Sequence, residues 1–151
     1  MNKVYKATDI ARYIILIAHE NGDVITNLKL QKLLYYAQAW YMVHHKGKKL
    51  FSDNIEAWKF GPVVKSVYDL YKKFSRNPID EQIDEKDFAR LSPEDRKFMD
   101  EFLGEFMDHS ALSLVNMIHN EPPWKEAFDE EDSFCSRTIS TDSMYNYYSK
   151  L

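Results

Sequence analysis

Hydrophobic residues near the start of the chain recur at steps of three and four, the spacing that places side chains on one face of an α-helix. Thr8 is positioned to cap such a helix, and Asn21-Gly22 is a typical stop. The apolar positions between them are Ile10, Tyr13, Ile14, Ile17 and Ala18. The pattern predicts a first amphipathic helix that begins after Thr8.

A second apolar stripe follows Thr26 and Asn27, either of which can cap a helix. Its members are Leu30, Leu33, Leu34, Ala37, Trp40 and Tyr41. The polar residues that fall outside the stripe are Lys29, Gln31, Lys32 and Gln38. We therefore expect a second helix that packs on one side and presents a polar side to solvent.

The segment from Ile55 to Phe60 is rich in bulky residues and is the best strand in the sequence. Leu50-Phe51 is a candidate for its partner strand. Pro62 fits the first turn of a third helix, where its missing N–H group is not needed. We expect this helix to end before Asn77-Pro78.

Serine residues mark the starts of helices in the second half of the chain. Ser92, followed by a proline and two carboxylates, is a strong helix opening. Asp108-His109-Ser110 begins the next helix, which we expect Pro122-Pro123 to end. Ser140-Thr141-Asp142 opens a short terminal helix. With the earlier helices, these segments predict a mainly α fold.

The length and composition fit one folded domain. A chain of 151 residues can bury a substantial core, since domains commonly have about 100–150 residues. Hydrophobic residues make up 44% of the chain and aromatic residues 15%, a composition that excludes a disordered protein. We expect residues 1–151 to form a single compact helical domain with a small β-strand or hairpin around Ile55–Phe60.

Charge and cysteine content narrow the classes of function. The net charge is −4 and the pI is about 5.7, whereas nucleic-acid-binding domains commonly carry a basic stripe or have a high pI. The single cysteine, Cys135, cannot form an internal disulfide, which suits a reducing compartment. The apolar run Tyr13–Ala18 is too short to span a membrane. We expect a cytoplasmic protein with no membrane partner, and nucleic acid is disfavoured.

No combination of residues indicates a catalytic, metal or cofactor site. No two of the five histidines have the one-turn spacing of a zinc-protease helix. His119 stands at the end of an apolar helix, where we interpret it as a cap for free carbonyl groups. Cys135 has acidic neighbours, which disfavour a nucleophilic thiolate. We predict a protein that is not an enzyme and holds no metal or cofactor; a hydrolase that uses His119 ranks third among the hypotheses.

The first two helices and the turn between them resemble a helix-turn-helix, with Lys29 and Lys32 available for phosphate groups. The second helix, however, offers few polar side chains that could contact base edges. An ordinary helical hairpin explains the same pattern. A DNA-binding transcriptional regulator that uses these two helices is therefore the second-ranked hypothesis.

The aromatic residues exceed what a small core readily hides. They include Tyr35, Tyr36, Trp40, Trp58, Phe60, Trp124, Tyr145, Tyr147 and Tyr148. Exposed aromatics are enriched at the hot spots of protein interfaces. We expect most of them to form the core and a few to form a partner-binding surface, for which we select Tyr36, Trp58, Lys59 and Phe60.

Several blocks of sequence together resemble the Panacea or SocA-like antitoxin family, which also includes phage-associated GepA-type proteins. The blocks are Leu30–Ala39, Glu56–Trp58, Gly61–Val64, Val67-Tyr68, Leu112-Ser113, His119, Pro123-Trp124 and Ile139–Tyr148. We expect the motif residues to define the fold rather than to contact a partner. These are Leu30, Lys32, Leu33, Leu34, Tyr35, Trp40, Gly61, Pro62, Val63, His119, Pro123 and Trp124.

The resemblance implies a non-enzymatic antitoxin that binds and neutralises a protein toxin encoded by a neighbouring gene. Different members of the family pair with very different toxins. At least one branch acts as a proteolytic adaptor, so a bacterial ATP-dependent protease is a further implied partner.

Overall fold

The computed structural model describes residues 4–151, which form seven α-helices and a small three-stranded antiparallel sheet. The helices are α1 (Ala7–Glu20), α2 (Asn27–His44), α3 (Lys65–Tyr71), α4 (Pro93–Phe106), α5 (Ala111–His119), α6 (Pro122–Ala127) and α7 (Thr141–Tyr148). The strands are β1 (Glu56–Trp58), β2 (Gly61–Val63) and β3 (Arg137–Thr138), and short 3-10 turns cover Lys72–Phe74 and Glu85–Asp87. The mainly α fold with a hairpin near Ile55–Phe60 is confirmed.

Helix α2 is the centre of the fold. Thirteen of its 18 residues are buried, because α1, α3, α4, α5, α7 and β2 all contact it. The expectation of a solvent-facing polar side is wrong, since Gln31, Lys32 and Gln38 are each at most 2% exposed. A helix that is surrounded on every side must find internal partners for its polar atoms.

The buried side chains on α2 find those partners in the backbone of other segments. The Gln38 amide donates to the carbonyl of Phe51 at 2.8 Å and accepts from the N–H groups of Leu50 and Phe51. The side-chain oxygen of Gln31, Oε1, accepts a hydrogen bond from the backbone N–H of Val64 at 2.8 Å. These bonds resemble the pairing that a neighbouring strand would supply, and they fix residues 50–51 and 64 against α2.

The sheet is built on a tight hairpin. Strand β1 pairs with β2 so that Trp58 faces Gly61, which leaves Lys59 and Phe60 as the turn. Strand β3 pairs with the other edge of β1. Leu50-Phe51 is therefore not the partner strand; the backbone there bonds to Tyr5 and to Gln38 instead.

Pro62 lies in β2 and does not open α3, which begins at Lys65. Since β2 is an edge strand, the missing N–H of Pro62 breaks no ladder. Its carbonyl accepts a hydrogen bond from the Lys32 ammonium at 2.9 Å. The predicted position of Pro62 was wrong because a tertiary contact, which local sequence rules do not contain, holds it extended.

Four of the predicted helix caps are confirmed. The side chains of Thr26, Ser92, Ser110 and Ser140 each accept from a backbone N–H in the first turn that follows. Helix α1 differs, because Lys6 rather than Thr8 precedes it and Asp53 from a distant loop accepts from its first N–H. The prolines after α5 also differ, since the helix ends at His119 and Pro122 begins α6.

Gly61 is required by both its conformation and its surroundings. Its φ is +107°, and a Cβ atom there would lie 2.8 Å from Cε of Lys32. We expect Gly61→Ala to lower the free energy of unfolding by roughly 1–3 kcal/mol, because the substitution strains the backbone and displaces Lys32. Urea denaturation measures this change.

Gly104 supplies the matched control, because it lies inside α4 with nothing within 4 Å of the added Cβ. We expect Gly104→Ala to raise the free energy of unfolding by about 0.4–1 kcal/mol. Equal effects at the two glycines would contradict the role assigned to Gly61.

Candidate partner-binding site at the hairpin turn

The structure brings three of the four residues selected for partner binding to the β1–β2 turn. Phe60 is 63% exposed, Lys59 is exposed, and Trp58 is half-buried. Tyr36 lies elsewhere and is 1% exposed, with its hydroxyl donating to Glu121 at 2.6 Å. Tyr36 is thus a core residue, because α2 is enclosed by other helices, and it does not contribute to this surface.

Trp58 anchors the turn to the elements on either side. Its indole N–H donates to Glu56 at 2.9 Å, and its ring packs edge-to-face against Tyr68 of α3 at 4.9 Å between centroids. Its carbonyl accepts from the indole N–H of Trp124 in α6 at 2.8 Å. These contacts therefore hold the turn against α3 and α6, while Phe60 projects into solvent. The Lys59 ammonium lies 5.6 Å from the centroid of the Phe60 ring.

Motif residues from distant parts of the chain meet beneath this turn. Lys32 bonds to Pro62 and packs under Gly61. His119 stacks on Trp124 with 4.1 Å between ring centroids, and Trp124 in turn bonds to Trp58. These contacts place the motif residues behind one turn, an arrangement that was not visible in the sequence.

His119 does not act as the expected cap of its own helix. Burial lowers the pKa of His119, and the charge of Lys32 lowers it further. Its Nε2 atom is buried and has no hydrogen-bond partner within residues 4–151. The ring faces the hairpin rather than the end of α5, because Trp124 holds it there by stacking.

A groove of about 640 Å³ lies beside the turn. The Trp58–Phe60 turn forms one wall, residues 28–32 of α2 form part of the floor, and residues 68–76 form a second wall. The loop of residues 133–136 closes the remaining side and carries Phe134, which is 90% exposed. Sequence reasoning missed this groove because its walls come from four separate segments.

Lys32 lies fully buried at the floor of the groove. Burial lowers its pKa from 10.5 to about 7, because a charged ammonium loses its hydration there. Lys29 donates to the carbonyl of Met107. Lys32 is buried and α2 is enclosed by its neighbours, so α2 cannot serve as the exposed recognition helix of a helix-turn-helix.

Most of the surplus aromatic residues belong to the core. The hydroxyls of Tyr36 and Tyr148 both donate to Glu121, at 2.6 and 2.7 Å, and Tyr35 bonds to Tyr148 at 3.0 Å. Burial raises the pKa of all three tyrosines. This cluster fastens α7 to α2 and explains why so many rings are needed away from the surface.

Two further properties concern the described part of the chain as a whole. Within residues 4–151, no helix is both long enough and apolar enough to cross a membrane. The same residues bring together no group of three or more histidine, cysteine or acidic side chains that could hold a metal ion.

Comparisons with known proteins point to one family. The family model described as "Antitoxin SocA-like, Panacea domain" matches residues 30–125, which include most of α2, the hairpin and most of α6. Over 44 residues, 29% of the chain, the sequence is 54% identical to Antitoxin SocA of Caulobacter vibrioides (strain NA1000 / CB15N). The aligned stretch covers 23% of that protein's length. No solved structure matches the chain.

The buried position of Lys32 predicts a pH-dependent stability. Folded protein releases the Lys32 proton near pH 7, whereas the unfolded chain keeps it to about 10.5. The unfolded state therefore binds more protons in this interval, so the free energy of unfolding rises with pH, by up to about 1.4 kcal/mol per pH unit. Below pH 7 both states are protonated and this contribution becomes constant.

Urea denaturation at pH 7, 8 and 9 tests this prediction. We expect Lys32→Met to remove most of the rise, because methionine has no proton to release. Lys59→Met, a change at an exposed lysine, should keep the wild-type slope. Identical slopes for wild type and Lys32→Met would contradict the prediction.

Proposed function

The chain belongs to the SocA-like Panacea domain family of antitoxins, and from that membership we propose that it neutralises a protein toxin by binding it directly. The toxin is the product of a neighbouring gene, and both proteins act in the cytoplasm. The described residues share one hydrophobic core, which supports the proposal that residues 1–151 act as one domain.

The observation that carries this proposal is the position of the hairpin turn. The motif residues are engaged beneath it, while Lys59 and Phe60 point outward. An exposed aromatic side chain on a well-supported turn is a typical interface anchor, because it buries a large area at a small loss of conformational freedom. We propose Trp58, Lys59 and Phe60 as toxin contacts, with Tyr36 withdrawn from that set.

We propose that the chain neutralises the toxin by covering part of its surface and not by catalysing a reaction on it. The two bases with the most unusual surroundings at the hairpin, Lys32 and His119, lie behind the turn and serve its packing. A protein that masks its toxin needs a stable complementary surface and no reactive group.

Co-expression with the neighbouring gene product tests the proposal. We expect the chain to restore growth to cells that produce the toxin and to co-purify with it. If the intact chain gives neither rescue nor a complex, the antitoxin function is wrong.

A single substitution tests the contact surface. We expect Phe60→Ala to weaken toxin binding by about tenfold or more in calorimetry, because it removes the exposed anchor. Leu112→Ala is the matched control, since Leu112 is 67% exposed and lies outside the groove. Wild-type affinity for Phe60→Ala would place the toxin on another surface.

The adaptor role implied by the family is a separate proposal. If the chain delivers its toxin to a bacterial ATP-dependent protease, adding the chain to purified toxin and protease should shorten the half-life of the toxin. Phe60→Ala should reduce this effect in proportion to its loss of binding. An unchanged half-life with the wild-type chain would rule the role out and leave direct neutralisation in place.

A further inference from the structure

The groove beside the hairpin turn has a charge opposite to that of the whole chain. The net charge is −4, yet the described residues that line the groove include three exposed cations and no carboxylate. The cations are Lys59, Lys72 and Arg76, while the fourth basic residue, Lys32, is buried beneath Gly61. Such separation of charge creates a local positive potential that attracts acidic groups.

Two of these cations have no acidic partner. Among residues 4–151, the ion pairs involve neither Lys59 nor Arg76, and Lys72 is 3.6 Å from Asp69. Glu56, on the strand that leads into the turn, accepts a hydrogen bond from the indole N–H of Trp58 and forms no ion pair with Lys59 or Arg76. Lys59 and Arg76 are both exposed and therefore free to meet carboxylates from another molecule.

The lining of the groove also includes exposed apolar side chains. Large hydrophobic side chains are exposed at seven positions in residues 4–151, and three of these line this groove: Leu28, Phe60 and Phe134. Clustering of exposed apolar groups marks interaction sites, because water is displaced from all of them at once. The groove volume of about 640 Å³ is within the usual range of binding pockets, about 300–1,000 Å³.

We propose that this groove binds a short segment of the toxin in which an apolar side chain is flanked by aspartate or glutamate. The apolar side chain packs between Trp58, Phe134 and Leu28, while the carboxylates meet Lys59 and Arg76. This assignment rests on the proposed antitoxin function and adds the chemistry of the partner segment to it.

Single-stranded nucleic acid would also suit cations next to aromatic rings. The segment next to the groove argues against it, because residues 129–132, which lie directly before the loop that carries Phe134, are four consecutive carboxylates. A long polyanion leaving the groove on that side would meet this acidic run, whereas a short acidic segment of a folded protein would not.

Charge reversal tests the assignment. The double variant Lys59→Glu/Arg76→Glu should weaken binding of the purified neighbouring gene product at least tenfold at about 0.1 M salt, and less at about 0.5 M, since salt screens exposed charges. The control is Lys48→Glu/Lys49→Glu, which makes the same charge change at two exposed lysines outside the groove. We expect the control to bind within about threefold of wild type.

Compensation and cross-linking locate the segment on the toxin. Replacing Asp or Glu by Lys in the contacting segment should restore binding to the charge-reversed variant. A photoreactive residue at position 134, which is exposed, should cross-link to that segment.

The outcomes separate the two proposals. If the wild-type chain binds the toxin and the groove variant binds equally well, the groove assignment fails and the antitoxin function stands. If the wild-type chain does not bind the toxin, both fail. If a 20-nucleotide single-stranded DNA binds the wild-type chain and competes with the toxin, the groove is a nucleic-acid site and the assignment is overturned.

Discussion

The fold depends on how the central helix α2 satisfies its buried polar side chains. Gln31, Lys32 and Gln38 are enclosed by neighbouring elements, and each bonds to backbone atoms of another segment. Leaving such a group unpaired costs about 1–3 kcal/mol. An arrangement that moved the hairpin or residues 50–51 away from α2 would leave several groups unpaired at once, so the polar contacts fix positions that hydrophobic packing alone would leave variable.

Local rules predicted the features that depend on short stretches of chain. Serine at positions 92, 110 and 140 caps helices because the hydroxyl needs only an N–H a few residues away. The hairpin near Ile55–Phe60 was predicted because bulky residues end there at Gly61-Pro62. The family was recognisable for a related reason, since its motif is a set of such local blocks.

Prediction failed where distant segments determine the outcome. Lys32 was expected at the surface because lysine usually is, yet the carbonyl of Pro62, thirty residues away, makes burial tolerable. The groove could not be predicted either, because Phe60 and Phe134 line the same groove only when β3 joins β1. Tyr36 was wrongly expected at the surface, because the number of aromatic residues in a segment does not reveal which of their rings α7 will cover.

The hairpin turn has inward-facing residues that hold it in place and outward-facing residues that make few contacts, and this separation has an evolutionary consequence. Lys32, Gly61 and Trp124 face inward and secure the turn, whereas Lys59 and Phe60 make few contacts with the rest of the protein. If Lys59 and Phe60 contact the toxin as proposed, stability and specificity are carried by different side chains. Substitutions at Lys59 and Phe60 should then change the binding surface with little effect on the stability of the fold. The same fold could therefore bind a different toxin after one or two substitutions at the turn, and each intermediate sequence would still fold.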